Sequence, residues 1–278
     1  MYKYKKVLIA AYDINKSKEA LTKIQTILSK NDVNFETFLP GSKLKDEKSF
    51  DLILVVGGDG SMLSAAKSFN NLQIPFLGIN LGKVGFMADL EYGDVDSALI
   101  DVLKGECQIE QREFLECEYE GKSFSAFNEI VLHTQKSYKL IEFEVKIDKN
   151  FVYNKRADGL IISTATGSTA YSLSAGGPIL TPLLEAFVIT SLNPLSLSAR
   201  PLIIPSDSKI SVEVVDNPED TECFIILDGN EEIPLKRDSR IFYAHKSQSQ
   251  FKLIHPKEHD FFEACREKLN WSISQEGK

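Results

Sequence analysis

The chain has 278 residues, of which 43% are hydrophobic and 26% charged, and its formal net charge is −8. That length suits one large domain or two of ordinary size, and the composition is that of a globular chain rather than a disordered or fibrous one. The acidic balance argues against a nucleic-acid partner, because a grip on a phosphate backbone draws on surplus lysine and arginine.

Lysines precede a short apolar run in MYKYKKVLIAAYD. The run stops at Asp13 without a small-residue cleavage site, so residues 5–11 read as a first β-strand rather than a signal peptide. No stretch reaches the roughly 18 apolar residues of a membrane span. A cytoplasmic chain with no membrane partner is therefore expected. Residues 17–30 carry Leu21, Ile24 and Leu28 on one helical stripe, with Asn15 as the candidate cap. VNFETF (33–38) reads as a second strand, and DLILVV (51–56) as a strand covered on both faces. SMLSAAKSF (61–69) is helix-like, IPFLGI (74–79) is another buried strand, and residues 94–103 place Val95, Leu99 and Val102 on one helix face. Strands alternating with helices predict a parallel, Rossmann-like sheet over residues 1–105.

The rhythm changes after residue 106. EFEVKI (142–147) alternates polar and apolar residues, and SVEVV (211–215), CFIIL (223–227), RIFYA (240–244) and QFKLI (250–254) are further strands. The expectation is a β-rich, sandwich-type domain over 106–248. A helix-bearing tail over 249–278 should return to the first domain. Cys107, Cys117, Cys223 and Cys265 lie far apart without metal-like spacing and read as structural thiols. His255 and His259 are four residues apart with Pro256 between them, and no metal site is expected there.

The first chemical signal is GGDG at 57–60, at the carboxyl end of a buried strand, where open α/β sheets place their ligands. Glycines let backbone approach a ligand, and Ser61 near the next helix start would add amide donors for phosphate. Asp59 is out of place beside phosphate unless it binds a hydroxyl, accepts its proton or helps hold a metal; the plain alternative is that it caps the helix. Neither GxGxxG nor GxxxxGK[ST] is present. GINLGKVGF (78–86) is a second glycine-rich strand exit in which Phe86 can stack on a base or belong to the core. Asn128 and Glu129 offer donors and acceptors suited to a ribose or carboxamide. KRADGLIISTATGSTAYSLSAGGP (155–178) concentrates small and hydroxyl residues between Arg156, Asp158 and a helix expected near Thr169. ILDGNEE (226–232) reads as a hairpin turn.

Taken together, GGDG, NE at 128–129, DGLIISTATGSTAYSLSAGGP at 158–178, RPLIIP at 200–205 and DG at 228–229 resemble the NAD kinase family, in its order and over nearly the whole chain. The resemblance implies phosphoryl transfer from ATP to the 2′-hydroxyl of the adenosine ribose of NAD, giving NADP and ADP. It implies that Asp59 orients or deprotonates that hydroxyl, that Gly60 lines the same pocket, and that Phe86 lies near the adenosine. Asn128 and Glu129 would hold ribose and adenine groups, and Asp158 the nicotinamide side with Arg156 nearby. Thr169, Ala170, Tyr171 and Ser174 would line the adenine and nicotinamide pockets. Magnesium would accompany ATP, with the choice between ATP and polyphosphate as donor left open; from position and charge, Lys83, together with Arg156 and the glycine-loop amides, is expected to offset substrate charge. Homodimers or homotetramers with sites shared across subunits are also implied. Two other readings share parts of this pattern: a lipid or sphingoid-base kinase with the GGDG loop, and a non-catalytic dinucleotide sensor.

Overall fold

The computed structural model describes residues 2–42, 44, 49–69, 72–82, 85–136, 139–218 and 221–271. Lys83 lies outside them. The chain divides into two compact units, Met1–Gln111 with Phe251–Lys278, and Arg112–Gln250.

The first unit begins with β1 (Lys6–Ala11), α1 (Ile14–Lys30), β2 (Asn34–Phe38), β3 (Leu52–Val56), α2 (Asp59–Ser68), β4 (Phe76–Asn80), β5 (Leu90–Glu91) and α3 (Val95–Lys104). β2, β1, β3 and β4 lie side by side and all pair in parallel. β3 and β4 are buried at every position, as strands covered on both faces must be. Burying a Val, Leu or Ile side chain contributes about 1.5–3 kcal/mol. Ala11 pairs with Val56, and Val56 with Ile79, so the carboxyl ends of β1, β3 and β4 are level. The loops after β3 and β4 therefore leave from adjacent strand ends. α1 starts earlier than its apolar stripe suggests. Asp13 rather than Asn15 is its cap, accepting from the Lys16 amide at 3.2 Å.

The second unit contains most of β6 (Cys107–Tyr119), then β7 (Lys122–Ala126), β8 (Glu129–Thr134), β9 (Ile141–Ile147), β10 (Asn150–Ala157), β11 (Gly159–Thr164), the single turn α4 (Tyr171–Ser174), β12 (Ala186–Leu192), β13 (Leu202–Pro205), β14 (Ile210–Asp216), β15 (Cys223–Leu227) and β16 (Glu231–Leu235). One antiparallel sheet runs β13-β12-β11-β8-β15-β16. β9, β10 and β14 belong to another, with β9 between the other two. Leu132, Leu160, Phe187 and Ile225 from the first sheet share one core with Phe143, Val145 and Val212 from the second. This is the β-sandwich that the alternating patterns predict.

RIFYA and QFKLI are one strand rather than two, β17 (Ile241–Pro256). The intervening HKSQS is polar and resembles a loop, but it holds no glycine or proline to break a strand. The end of β17 belongs to the first unit, where Leu253 and Ile254 pair in parallel with Phe76 and Leu77 of β4. α5 (Phe261–Leu269) follows, capped by Asp260, which accepts from the Phe262 amide at 2.8 Å. Among the described residues, no helix is long and apolar enough to cross a membrane.

Candidate active site

Asp59 is the first residue of α2, after Gly58, yet its carboxylate does not cap that helix. It turns to the loop after β4. Oδ1 accepts from the amides of Met87 (3.0 Å) and Ala88 (3.2 Å), and Oδ2 from that of Phe86 (3.0 Å). The two glycine-rich strand exits are thus one structure, clamped by the acid. Gly85 is required there, since a Cβ on it would stand 2.1 Å from Asp59 Oδ1. Asn80 braces the same loop: its side chain donates to Ala88 O (3.1 Å) and accepts from Gly82 N (2.9 Å). The Ser61 amide is spent on Gly58 O at 2.9 Å, so it is not the phosphate donor the sequence suggests.

A residue that the sequence did not mark completes this corner. Lys268 of α5 places Nζ 2.7 Å from Asp59 Oδ2 and 4.4 Å from the centre of the Phe86 ring. Burial opposes ionisation of Asp59, but the Lys268 ammonium and the loop amides outweigh it and hold the carboxyl below its ordinary value. Phe86 is half-buried beside Phe261, 6.1 Å between ring centres, and Gly60 is exposed.

Just beyond this loop, Asp89 Oδ2 accepts from His255 Nδ1 (2.8 Å) and His259 Nδ1 (2.6 Å). His255 Nε2 meets Glu110 Oε2 at 3.2 Å, and the two imidazoles stack at 3.8 Å. The loop that brings Asp89 to this histidine pair has no counterpart in their spacing, which is why the sequence did not mark Asp89 as their partner. The cluster ties the end of β17 and the approach to α5 to the residue next to the Asp59 clamp.

In the second unit, Asn128 and Glu129 lie where β7 passes into β8. Their amides and that of Phe127 all donate to the Asp228 carboxylate, at 2.6–3.2 Å. Asp228 and Gly229 have φ of 50° and 66°, so they do form the expected hairpin turn. Asp228 has the further task of pinning the NE element, which its turn signature concealed. Thr164 Oγ1 donates to Phe127 O (2.8 Å), and Thr164 N to Asn128 O (2.9 Å). Gly167 packs so closely that a Cβ on it would lie 2.1 Å from Asn128 O. Buried Arg112, also unmarked by sequence, donates to Thr166 Oγ1 at 3.3 Å. The NE and STATGSTAY elements therefore form one rigid body.

The helix expected near Thr169 is a 3₁₀ turn, Thr166–Thr169, followed by α4, which is only one turn long. Gly176, Gly177 and Pro178 end it at once. Thr169 and Ala170 are half-buried, while Tyr171 and Ser174 are exposed. Asp158 is 5% exposed; Oδ2 accepts from Asn193 Nδ2 at 2.9 Å, and among the described residues Oδ1 has no partner. A buried carboxylate oxygen in that state favours a ligand donor. Asp158 does not, however, lie beside Asn128. Gly159 pairs with His133 and Ser163 with Glu129, so Asn128 is level with Thr164, six residues along the strand from Asp158, which is about 20 Å at the usual rise per strand residue. Arg156 is exposed, on β10 at the Asp158 end.

Comparison with known proteins fits this arrangement. Residues 10–107 match the family model described as the ATP-NAD kinase N-terminal domain, and residues 127–256 match that of the ATP-NAD kinase C-terminal domain. The chain is 44% identical over 227 residues to an NAD kinase of Alcanivorax borkumensis, covering 80% of this chain and 75% of that one. It is 42% identical over 246 residues to an NAD kinase of Erwinia tasmaniensis, covering 87% and 83%. Among solved structures, yeast NADH kinase complexed with NADH superposes with a TM-score of 0.84 at 27% identity, covering 99% of this chain and 91% of that one. An Archaeoglobus fulgidus NAD kinase in complex with ATP gives 0.75 at 25% identity, covering 91% and 94%. The clamped GGDG acid, the pinned NE pair and both domain matches lead to one conclusion: this chain belongs to the NAD kinase family.

Proposed function

We propose that the chain transfers the γ-phosphoryl group of ATP to the 2′-hydroxyl of the adenosine ribose of NAD, with Asp59 holding that hydroxyl. The observation that carries this reading is the Asp59 clamp: a carboxylate fixed by three amides at the exit of β3 and turned away from its own helix. In the transfer, the 2′-oxygen bonds to the γ-phosphorus while the bond from that phosphorus to the β–γ bridging oxygen breaks. ADP leaves with the bridging oxygen, and the hydroxyl proton passes to Asp59 and then to solvent. A carboxyl held below its ordinary value is a weak base, so Asp59 contributes chiefly by orienting the nucleophile.

Among the described residues, the groups that donate to Asp59 are amide N–H groups and an ammonium, and these do not make an oxygen cage for a cation. Magnesium is accordingly taken as part of the substrate MgATP, with phosphate and water as its ligands. When bound it neutralises charge developing on the phosphates. Asn128, Glu129 and the Thr169–Ser174 turn suit the adenosine, and the unpartnered oxygen of Asp158 suits a carboxamide N–H. Since β11 holds Asp158 apart from Asn128, a homo-oligomer in which another copy supplies Asp158 to the dinucleotide is the arrangement we favour. Exposed Leu195 and Leu197, 63% and 95% accessible, support it, because Leu195 N donates to Arg156 O at the Asp158 end. The lipid-kinase and sensor readings gain no support, since both domain models and the named relatives are NAD kinases.

The test is incubation with NAD, MgATP and, separately, polyphosphate, with nucleotides resolved by chromatography. Equimolar NADP and ADP are expected. Asp59→Asn should fold normally and turn over at least ~10²-fold more slowly. Near-normal turnover by that variant removes Asp59 from the chemistry.

A further inference from the structure

Among the described residues, Asp59 presents its carboxylate to four donors, and one of them differs from the rest. Three are backbone amides of residues 86–88, fixed by the loop. The fourth is Lys268 Nζ, at the end of a flexible side chain on α5, 28% exposed. A hydroxyl that is to donate to Asp59 needs a lone pair, and on Oδ2 the shortest contact, 2.7 Å, is the ammonium. The other cation in the last turn of this helix that the structure pairs, Arg266, turns instead to Asp260 at 3.5 Å.

We propose that Lys268 is a further residue of the reaction centre, covering Asp59 Oδ2 before substrates bind and exchanging that carboxylate for a phosphate oxygen of the donor nucleotide. The inference rests on the reading of Asp59 as the hydroxyl's partner. The chain is acidic overall and its substrates are anionic, so a cation at the reacting end is needed. Lysine suits the task because its ammonium is a mobile point charge on a four-carbon stem. The Phe86 ring beneath Nζ keeps the charge close through the exchange. The exchange also couples the substrates. As phosphate draws Lys268 away, Oδ2 is freed for the hydroxyl and the carboxylate loses the charge that weakens it as a base. Asp59 is then most competent when a donor is present, and premature proton transfer is suppressed.

The experiment compares wild type, Lys268→Met, Lys268→Gln, Lys268→Arg, Asp59→Asn and the Asp59→Asn/Lys268→Met double variant in steady-state kinetics over pH, with folding followed by circular dichroism. Loss of a phosphate-facing charge predicts that Lys268→Met and Lys268→Gln lower kcat/KM for MgATP by about 10²-fold, and that for NAD by much less. The acidic limb of their kcat/KM profile for MgATP, which reports the enzyme before the donor binds, should move upward, because Asp59 no longer has an ammonium beside it. Lys268→Arg should restore most of the donor term. Wild-type kinetics in folded Lys268→Met and Lys268→Gln would overturn the proposal. So would equal losses for both substrates with an unmoved acidic limb, which is what a structural tether would give. Asp59→Asn separates the two readings: if it is nearly normal, the Asp59 role fails, while the donor-specific loss in Lys268→Met still decides whether Lys268 meets phosphate. In the double variant, the kcat loss should be smaller than the product of the single losses, since part of the lysine's effect passes through Asp59. Full multiplication of the two losses would argue against the exchange.

Discussion

Gly85 and Asp228 show how single residues set the site without touching a substrate. A methyl group at 85 would collide with Asp59 Oδ1, so the carboxylate would have to move by about an ångström. Misplacement on that scale can cost about 10²-fold in rate, and Gly85→Ala should lower kcat by that order while its far-ultraviolet circular dichroism stays normal. Undiminished turnover would mean that the clamp geometry is not critical. Asp228 satisfies three amides around the NE element, two of them buried. Leaving buried donors unmade costs about 1–3 kcal/mol each, so Asp228→Ala should lose about 2–6 kcal/mol in urea unfolding. Its KM for NAD should rise more than its KM for ATP, because the freed segment carries Asn128 and Glu129. Sequence read Asp59 as a functional acid from its place in GGDG, but its amide partners lie 27–29 residues away and Lys268 lies 209 away, and neither was legible. Asp228 was legible only as a turn.

α5 and the end of β17 are attached to the first unit through buried polar contacts, and this makes their docking pH-dependent. Burial alone would push His255 down, but its hydrogen bonds to Asp89 and Glu110 hold it above its ordinary 6.5. For Asp89, burial pushes up while the two imidazoles hold it below 3.8. The histidine's contribution is full below pH 6.5 and is lost as pH rises through its raised value. The aspartate's contribution is present above 3.8 and is lost as pH falls through its lowered value. The clamp therefore contributes most between about pH 4 and 6.5. Melting temperatures of wild type and His255→Gln, taken across pH, should differ most in that window and converge on the alkaline side. A difference that widens above pH 8 would contradict this sign. The same segment carries Lys268, so an element that reads as an ordinary amphipathic tail delivers a charged group to the GGDG acid.

For the whole molecule, the four cysteines report on the two units separately, because the thiolate is the reactive species and burial disfavours it. Burial pushes Cys117 up to about 12 and Cys223 up to about 11, both in the second unit, and raises Cys265 in the first. Burial raises the Cys107 thiol too, but it alone is partly exposed, so native protein at neutral pH should be labelled by a maleimide slowly and at Cys107 alone, and at all four after denaturation. Mass spectrometry of partly denatured samples then shows which unit opens first. Rapid native labelling of Cys117 or Cys223 would show that the sandwich core is looser than its packing suggests.

By itself, the sequence determined the architecture and the chemistry-bearing residue types. Continuous apolar strands and period-two alternation are local patterns that fix which faces are buried, and the GGDG, NE and STATGSTAY motifs carry their own spacing. The tertiary structure decided what those residues do to one another. It turned Asp59 from its helix to the amides of residues 86–88, brought Lys268 to the same oxygen, and made Asp228 a clamp for the NE pair. It also separated Asp158 from Asn128 by the length of β11. Each of these joins residues through hydrogen bonds or register across distant segments, and such pairings depend on chain reversal and sheet order, which no local pattern encodes.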